Sequence, residues 1–370
     1  MKAVDKIKFV DKDNRQFFTT LKKRVNEHFE KHNKSKNANT EMKIKTVILM
    51  SMYIVPFVLL LTFQPPLFAS LVLWIIMGFG VAGIGMSVMH DSIHGAYSAN
   101  PNVNKWMGKT LLLLGSIPYN WKLQHNVLHH TYTNIETKDM DIQPKGGIRF
   151  SPHSAIKKHH RLQHIYVFVL YSLATIFWVI AKDFVQYFKF TREGLNKKTK
   201  SENVIFFMQI IALKIVYFST FLVLPTVVLG IPFLHVLAGF LLMHLVAGIT
   251  LSVVFQLAHT VEGTEFPLPN EKGIIENEWA VHQLLTTVNF STDNKFLSWY
   301  VGGLNFQIEH HLFPKICHVH YKEIAPIVKQ TAEEFGVPYM ENKKFKDALS
   351  AHLALLHKFG RIPSMEDAIV

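Results

Sequence analysis

The stretch "QHNVLHHTYTN" at 124–134 places three histidines, His125, His129 and His130, within six positions. "HDSIH" sets His90 and His94 four apart, "QIEHH" supplies His310 and His311 with Gln307 one helical turn before His311, and "FQLAH" closes an apolar run with His259. Side chains at i and i+4 share one helical face, about 5–6 Å apart. His90 with His94, and His125 with His129, are therefore spaced to converge on a metal ion, while His130 sits about 100° round the helix, free to turn toward a second ion. Eight neutral imidazoles are too many for one ion, so two metal centres are expected. Imidazole suits iron, zinc and copper alike, which leaves the metal open. The single cysteine, Cys317, excludes an internal disulfide framework and any cysteine-based zinc or iron–sulfur site. Asp91, Glu262 and Glu309 neighbour these motifs and are expected either to accept ring N–H groups or to be solvated surface charges.

The other histidines read differently. His160 and His164 in "HHRLQH" repeat the four-residue spacing, but Lys157, Lys158 and Arg161 surround them and oppose a cation, so an interfacial role is expected. His318 and His320 lie beyond a proline break and are read as structural. His235 and His244, inside an apolar run, are expected to pack, and His282 stays open.

The elements that must position these residues are apolar. The chain has 370 residues, 49% of them hydrophobic, and a formal charge of +12. Runs at 46–63, 67–89, 204–229 and 232–258 are each long enough to cross about 30 Å of hydrocarbon at about 1.5 Å per residue. The turns between them, 64–66 and 230–232, carry no charge. A fifth run, 165–181, is flanked by Lys157, Lys158 and Arg161 before it and by Lys182, Lys189, Arg192, Lys197, Lys198 and Lys200 after it. The positive-inside rule puts both its ends in the cytosol. A crossing there would also separate the histidines before residue 165 from those after 258, so it is read as interfacial or re-entrant.

The expected fold is thus an all-α integral membrane protein: four transmembrane helices in two hairpins, with a cytosolic helical cap holding a di-metal site. Both termini and the active site are expected on the cytosolic face of a bacterial inner membrane, or of the endoplasmic reticulum in a eukaryote. Residues 1–45 read as a cytosolic segment lacking the apolar core of a signal peptide. Within it, 11–31 form an amphipathic helix with Phe17, Leu21, Val25 and Phe29 on one face, lying on the membrane or against the catalytic domain. Residues 46–345 are the catalytic domain and 346–370 a helical tail. The basic residues concentrate beside apolar runs, as suits an anionic leaflet rather than nucleic acid. Lys214, inside the third run, is expected to snorkel to the interface.

"HDSIH", "HNVLHH" and "QIEHH" resemble the three histidine boxes of membrane fatty acid desaturases. "LNFQIEHHLFP" and "HVHYKEIAPIVKQTAEEFGVPY" are similar to the front-end (Δ5/Δ6, linoleoyl-CoA-desaturase-like) branch, and the likeness runs from about 45 to 345. The resemblance implies a mushroom-shaped four-span protein that uses O₂ to insert a cis double bond into an acyl chain carried by CoA, ACP or a glycerolipid. It implies two non-haem irons held by His90, His94, His125, His129, His130, His259, His310 and His311. Where other branches begin the third box with His, this chain has Gln307, which is expected to hold a water or an oxygen species rather than bind iron directly. No "HPGG" haem motif is present, so electrons are expected from a separate ferredoxin or cytochrome b5. Trp121, Lys122 and Asn120 are read as groups that hold the substrate head group at the mouth. Two alternatives share features of this pattern: a related di-iron lipid hydroxylase, and a His-rich metal transporter, whose ligands would sit near the bilayer midplane.

Overall fold

In the computed structural model, which describes residues 7–12, 16–143 and 147–363, each span begins and ends on a local signal. The Asn39 side chain accepts the Met42 N–H at 3.0 Å and starts the first span, Thr40–Phe63. That helix stops at Gln64, which adopts a left-handed conformation ahead of Pro65 and Pro66, residues that cannot continue it. The second span, Leu67–His94, follows at once and passes through a π-helical turn at Ile84–Val88. Thr199 and Glu202 form a reciprocal capping box that opens the third span, Lys200–Val228. The fourth, Phe233–His259, runs unbroken to the histidine expected at its end.

The expected four spans are all present, and the fifth apolar run is broken in the middle. It forms two helices, Lys158–Ser172 and Ala174–Arg192, bent by 51° at their junction. They pack on the fourth span at Gly248, where a Cβ would stand 2.4 Å from the Ser172 carbonyl oxygen. Lys214 does not snorkel. Its Nζ lies 2.7 Å from Asp183 Oδ2 and donates to the Gly115 carbonyl at 2.7 Å, both partners being buried. Within apolar surroundings a charge stays ionised only where a fixed opposite charge and dipoles replace water; the bent pair supplies the charge, Asp183, and Gly115 a carbonyl dipole.

The remaining helices form the cap. The amphipathic helix starts at Phe17 rather than at residue 11, because Gln16 adopts a left-handed conformation, and runs to Lys31, burying Phe17, Leu21, Val25 and Phe29 against Ile324, Val328 and Ala332. At roughly 1.5–3 kcal/mol per large apolar side chain, that face belongs to the cap rather than to lipid. Two-residue parallel strands, which helical periodicity did not foretell, pair Lys8–Phe9 with Ile274–Ile275 and Asn289–Phe290 with Glu341–Asn342. The helix Phe345–Phe359 is closed by fully buried Arg149, which donates to the Phe359 and Ile362 carbonyls at 2.5 and 2.7 Å, supplying partners to orphan C-terminal acceptors.

Candidate metal centre

The seven box histidines and His259 meet at one end of the spans, and none is more than 8% exposed. They separate into groups whose ligand atoms lie within 4.8 Å of one another: His90, His94, His125 and His310 in one, His129, His259 and His311 in another, with His130 between them beside His310 and His311. His90 and His94 converge as their spacing required. His125 and His129 do not: they fall into different groups. Their rings nonetheless stack 5.3 Å apart, on a stretch, Leu123–His129, that is π-helical. A second π turn, Ile84–Val88, directly precedes the first box. Gly302, at φ +63°, lets the cap backbone touch that turn; a Cβ there would stand 2.3 Å from the Met86 carbonyl oxygen.

The donor set fits metal. Seven of these rings hold a buried nitrogen without a protein partner: His90, His94, His129, His130, His259, His310 and His311. Buried polar atoms are rarely left so. His125 Nε2 stands 3.2 Å from both His90 Nε2 and His130 Nε2, and two nitrogens about 2.1 Å from one ion stand about 3.2 Å apart when they subtend about 100° there. Burial, and after it the neighbouring rings, pushes His125, His130, His310 and His311 well below the ordinary imidazole pKa. These rings are therefore neutral, as ligation demands.

Outer partners fix the rings. His129 Nδ1 lies 3.0 Å from Asp139 Oδ2; burial opposes protonation of this ring, but the carboxylate outweighs it and raises the pKa. His311 Nδ1 pairs with Gln283 Oε1 at 2.8 Å, His310 Nδ1 with the Tyr321 hydroxyl at 3.1 Å, and His259 Nδ1 with the Thr286 carbonyl at 3.3 Å. Sequence reasoning missed Asp139, Gln283 and Tyr321. Only "TKDMD", a pair of carboxylates shortly after the second box, could have signalled one of them. Of the acids that were singled out, Glu262 is exposed. Glu309 accepts from Asn289 and Tyr339 instead of a ring, and burial pushes it up to about 7. Asp91 Oδ2 accepts from Cys317 and from His318, whose Nε2 lies 2.7 Å from Lys45 Nζ. A cation already occupies that corner.

Gln307 is buried, with Oε1 unpartnered. Trp121 turns inward, its ring 4.4 Å from His125, and Asn120 donates to the Asp183 carbonyl at 3.0 Å; of the three expected mouth residues only Lys122 is exposed. Phe255, also missed, packs 5.0 Å from both His129 and His259. His160, His164, His235, His244, His282 and His320 join no metal group among the described residues. His125 precedes and His310 follows the third and fourth spans, so their shared group requires an even number of crossings between them. A crossing by the bent pair would make it odd.

Residues 38–343 match the family described as Fatty acid desaturase. The chain is 37% identical to sn-1 linoleoyl-lipid 6-desaturase of Arthrospira platensis, over 94% of this chain and 93% of that one. It is 34% identical to the protein of the same description in Synechocystis sp., over 98% and 99% of the two chains. Against the acyl-lipid (8-3)-desaturase of Physcomitrium patens the identity is 35%, covering 96% of this chain and 74% of that one. The chain belongs to the fatty acid desaturase family and is an integral membrane protein.

Proposed function

We propose that this desaturase inserts a cis double bond at carbon 6, between the carboxyl group and an existing double bond, of a linoleoyl-type chain esterified in a membrane glycerolipid. It does so with two non-haem irons and O₂. The observation that carries the reading is the pair of buried histidine groups, six of whose seven rings hold a nitrogen without a protein partner. The lipid carrier and the carbon position are supported by the names of the relatives. His90, His94, His125 and His310 hold one ion; His129, His259 and His311 the other; His130 stands between.

Bound there, iron with O₂ supplies an oxidant able to take hydrogen from unactivated methylenes, which no side chain can do. The chain supplies everything else. Asp139, Gln283 and Tyr321 orient His129, His311 and His310 and keep their other nitrogens aimed inward. Trp121 and Phe255 cover the rings and exclude water. Gln307 offers Oε1 to a proton donor inside the site. Lys122, exposed beside Trp121, meets a polar head group at the mouth. We place both termini and the metal centre on the cytosolic face, where the basic flanks of the bent pair belong.

A host expressing the chain and fed linoleate is expected to accumulate the 6,9,12-triene in its glycerolipids, and the purified protein to hold two irons per chain. Conversion of saturated chains alone, with the bond at carbon 9, would overturn the regiochemistry. Hydroxylated products would move the protein to the hydroxylases, and active protein carrying zinc without iron would remove the iron assignment.

A further inference from the structure

We propose that electrons enter the metal centre through Trp279, and that the aromatic surface around it, framed by Lys22 and Lys315, docks a small acidic one-electron carrier protein. The proposal rests on the di-iron reading above. Forming the double bond breaks one C–H bond on each of two adjacent carbons and oxidises the acyl chain by two electrons, whereas reducing O₂ to two waters takes four. The missing two electrons come from two reduced carriers, each oxidised once per turnover, and two protons come from water.

A carrier cannot touch the ligand rings, since none is more than 8% exposed. Transfer must pass through protein, and it weakens far less along bonds than across gaps. The Trp279 indole N–H donates to the His130 carbonyl oxygen at 3.2 Å. From there the route to the His130 ring is covalent within one residue. Trp279 itself is only half-buried, so one side chain links the cap surface to the middle of the histidine groups. Phe18 packs edge-on against it at 5.3 Å between ring centroids, and Phe313 lies 6.0 Å from Phe18. These rings form a patch with no metal-site duty of their own.

The charge around the patch selects the partner. Lys22 Nζ sits 4.8 Å over the Phe18 ring, and Lys315, two residues beyond Phe313, is exposed. Among the described residues nearby, Glu276 pairs with Lys12 at 2.6 Å, Glu278 Oε1 accepts the Phe18 N–H at 3.1 Å while its Oε2 is buried, and Asp11 lies near Glu278. Among the described residues, Lys22 and Lys315 give the aromatic centre two cations at its edge, complementary to an acidic carrier.

The test follows reduction of the oxidised holoenzyme in a stopped-flow instrument, once with a reduced plant-type [2Fe–2S] ferredoxin and once with dithionite. Trp279→Leu should lose most of the ferredoxin-driven rate, and Trp279→Phe, which keeps a ring but loses the N–H bond, should fall between it and wild type. Iron content and the dithionite rate should stay at the wild-type level in both. The pair Lys22→Glu and Lys315→Glu should slow ferredoxin reduction on the order of tenfold at low salt and little at high salt. Ferredoxin reduction of Trp279→Leu at the wild-type rate would overturn the proposal. So would parallel losses of iron and of the dithionite rate, which would make Trp279 structural. A wild-type protein without reducible metal would instead remove the di-iron reading beneath it.

Discussion

Asp139→Asn isolates what one outer carboxylate does for the metal. Asp139 has no exposed surface; its Oδ2 accepts from His129 Nδ1 and from the Asn134 N–H, each at 3.0 Å, and its Oδ1 accepts the Asp141 N–H at 2.9 Å. The carboxylate keeps the proton on Nδ1, so that Nε2, unpartnered in the protein, faces the nitrogens of His259 and His311. Asparagine preserves the volume. Two donors converge on the Oδ2 position, so the amide oxygen stays there and the amide nitrogen meets the Asp141 N–H, leaving a buried donor unmatched at a cost of roughly 1–3 kcal/mol in stability. Loss of the charge-assisted bond to a ligating histidine costs about 10–100-fold in metal affinity, or about 1.4–2.7 kcal/mol. Purified protein dialysed against graded EDTA and assayed by ICP–MS should therefore lose one of its two metals at chelator levels where wild type keeps both. Asp141→Asn should matter less at His129, since Asp141 Oδ2 is 3.9 Å from Nδ1, beyond hydrogen-bonding range. If folded Asp139→Asn followed the wild-type chelator profile, or shed both metals together, the division of histidines between two sites would be wrong.

Lys214→Met strands the buried Asp183 carboxylate and should lower stability by about 3–5 kcal/mol, visible as a lower unfolding temperature in detergent; adding Asp183→Asn should recover part of it, and an unchanged single variant would refute the pairing. His352, bonded to the Tyr171 hydroxyl and the Thr260 carbonyl and buried, is held at about 4 by desolvation. Its folded pKa lies below the unfolded value, so the unfolded state binds the extra proton, and stability should fall as pH drops from about 6.5 to about 4, by up to roughly 3 kcal/mol. His352→Gln should flatten that slope in pH-dependent unfolding, and an equal slope would exclude the residue. Cysteines placed near 160 and 195 in a Cys317→Ser background should be labelled from the same side of the membrane; labelling from opposite sides would reverse the bent-pair assignment.

The sequence alone determined the spans, because hydrophobic length is a local property and the bilayer sets the threshold. It also determined the pair His90 and His94, because an undistorted helix fixes which residues share a face. The sign of the charges flanking 165–181 argues that this segment turns back, and the structure bends it by 51° at its middle. The division of His125 from His129 was decided only by the folded chain, where His90, His94 and His310 gather round one ring and His259 and His311 round the other although the two rings stack 5.3 Å apart. Lys214 was misread for a related reason: its partner, Asp183, lies on another helix, and a lone lysine in an apolar run carries no record of it. Asp139, Gln283, Tyr321 and Trp279 were invisible for the same cause. Each acts on a histidine between 10 and 149 positions away, and packing alone brings such pairs together, since neither periodicity nor spacing reaches across a loop.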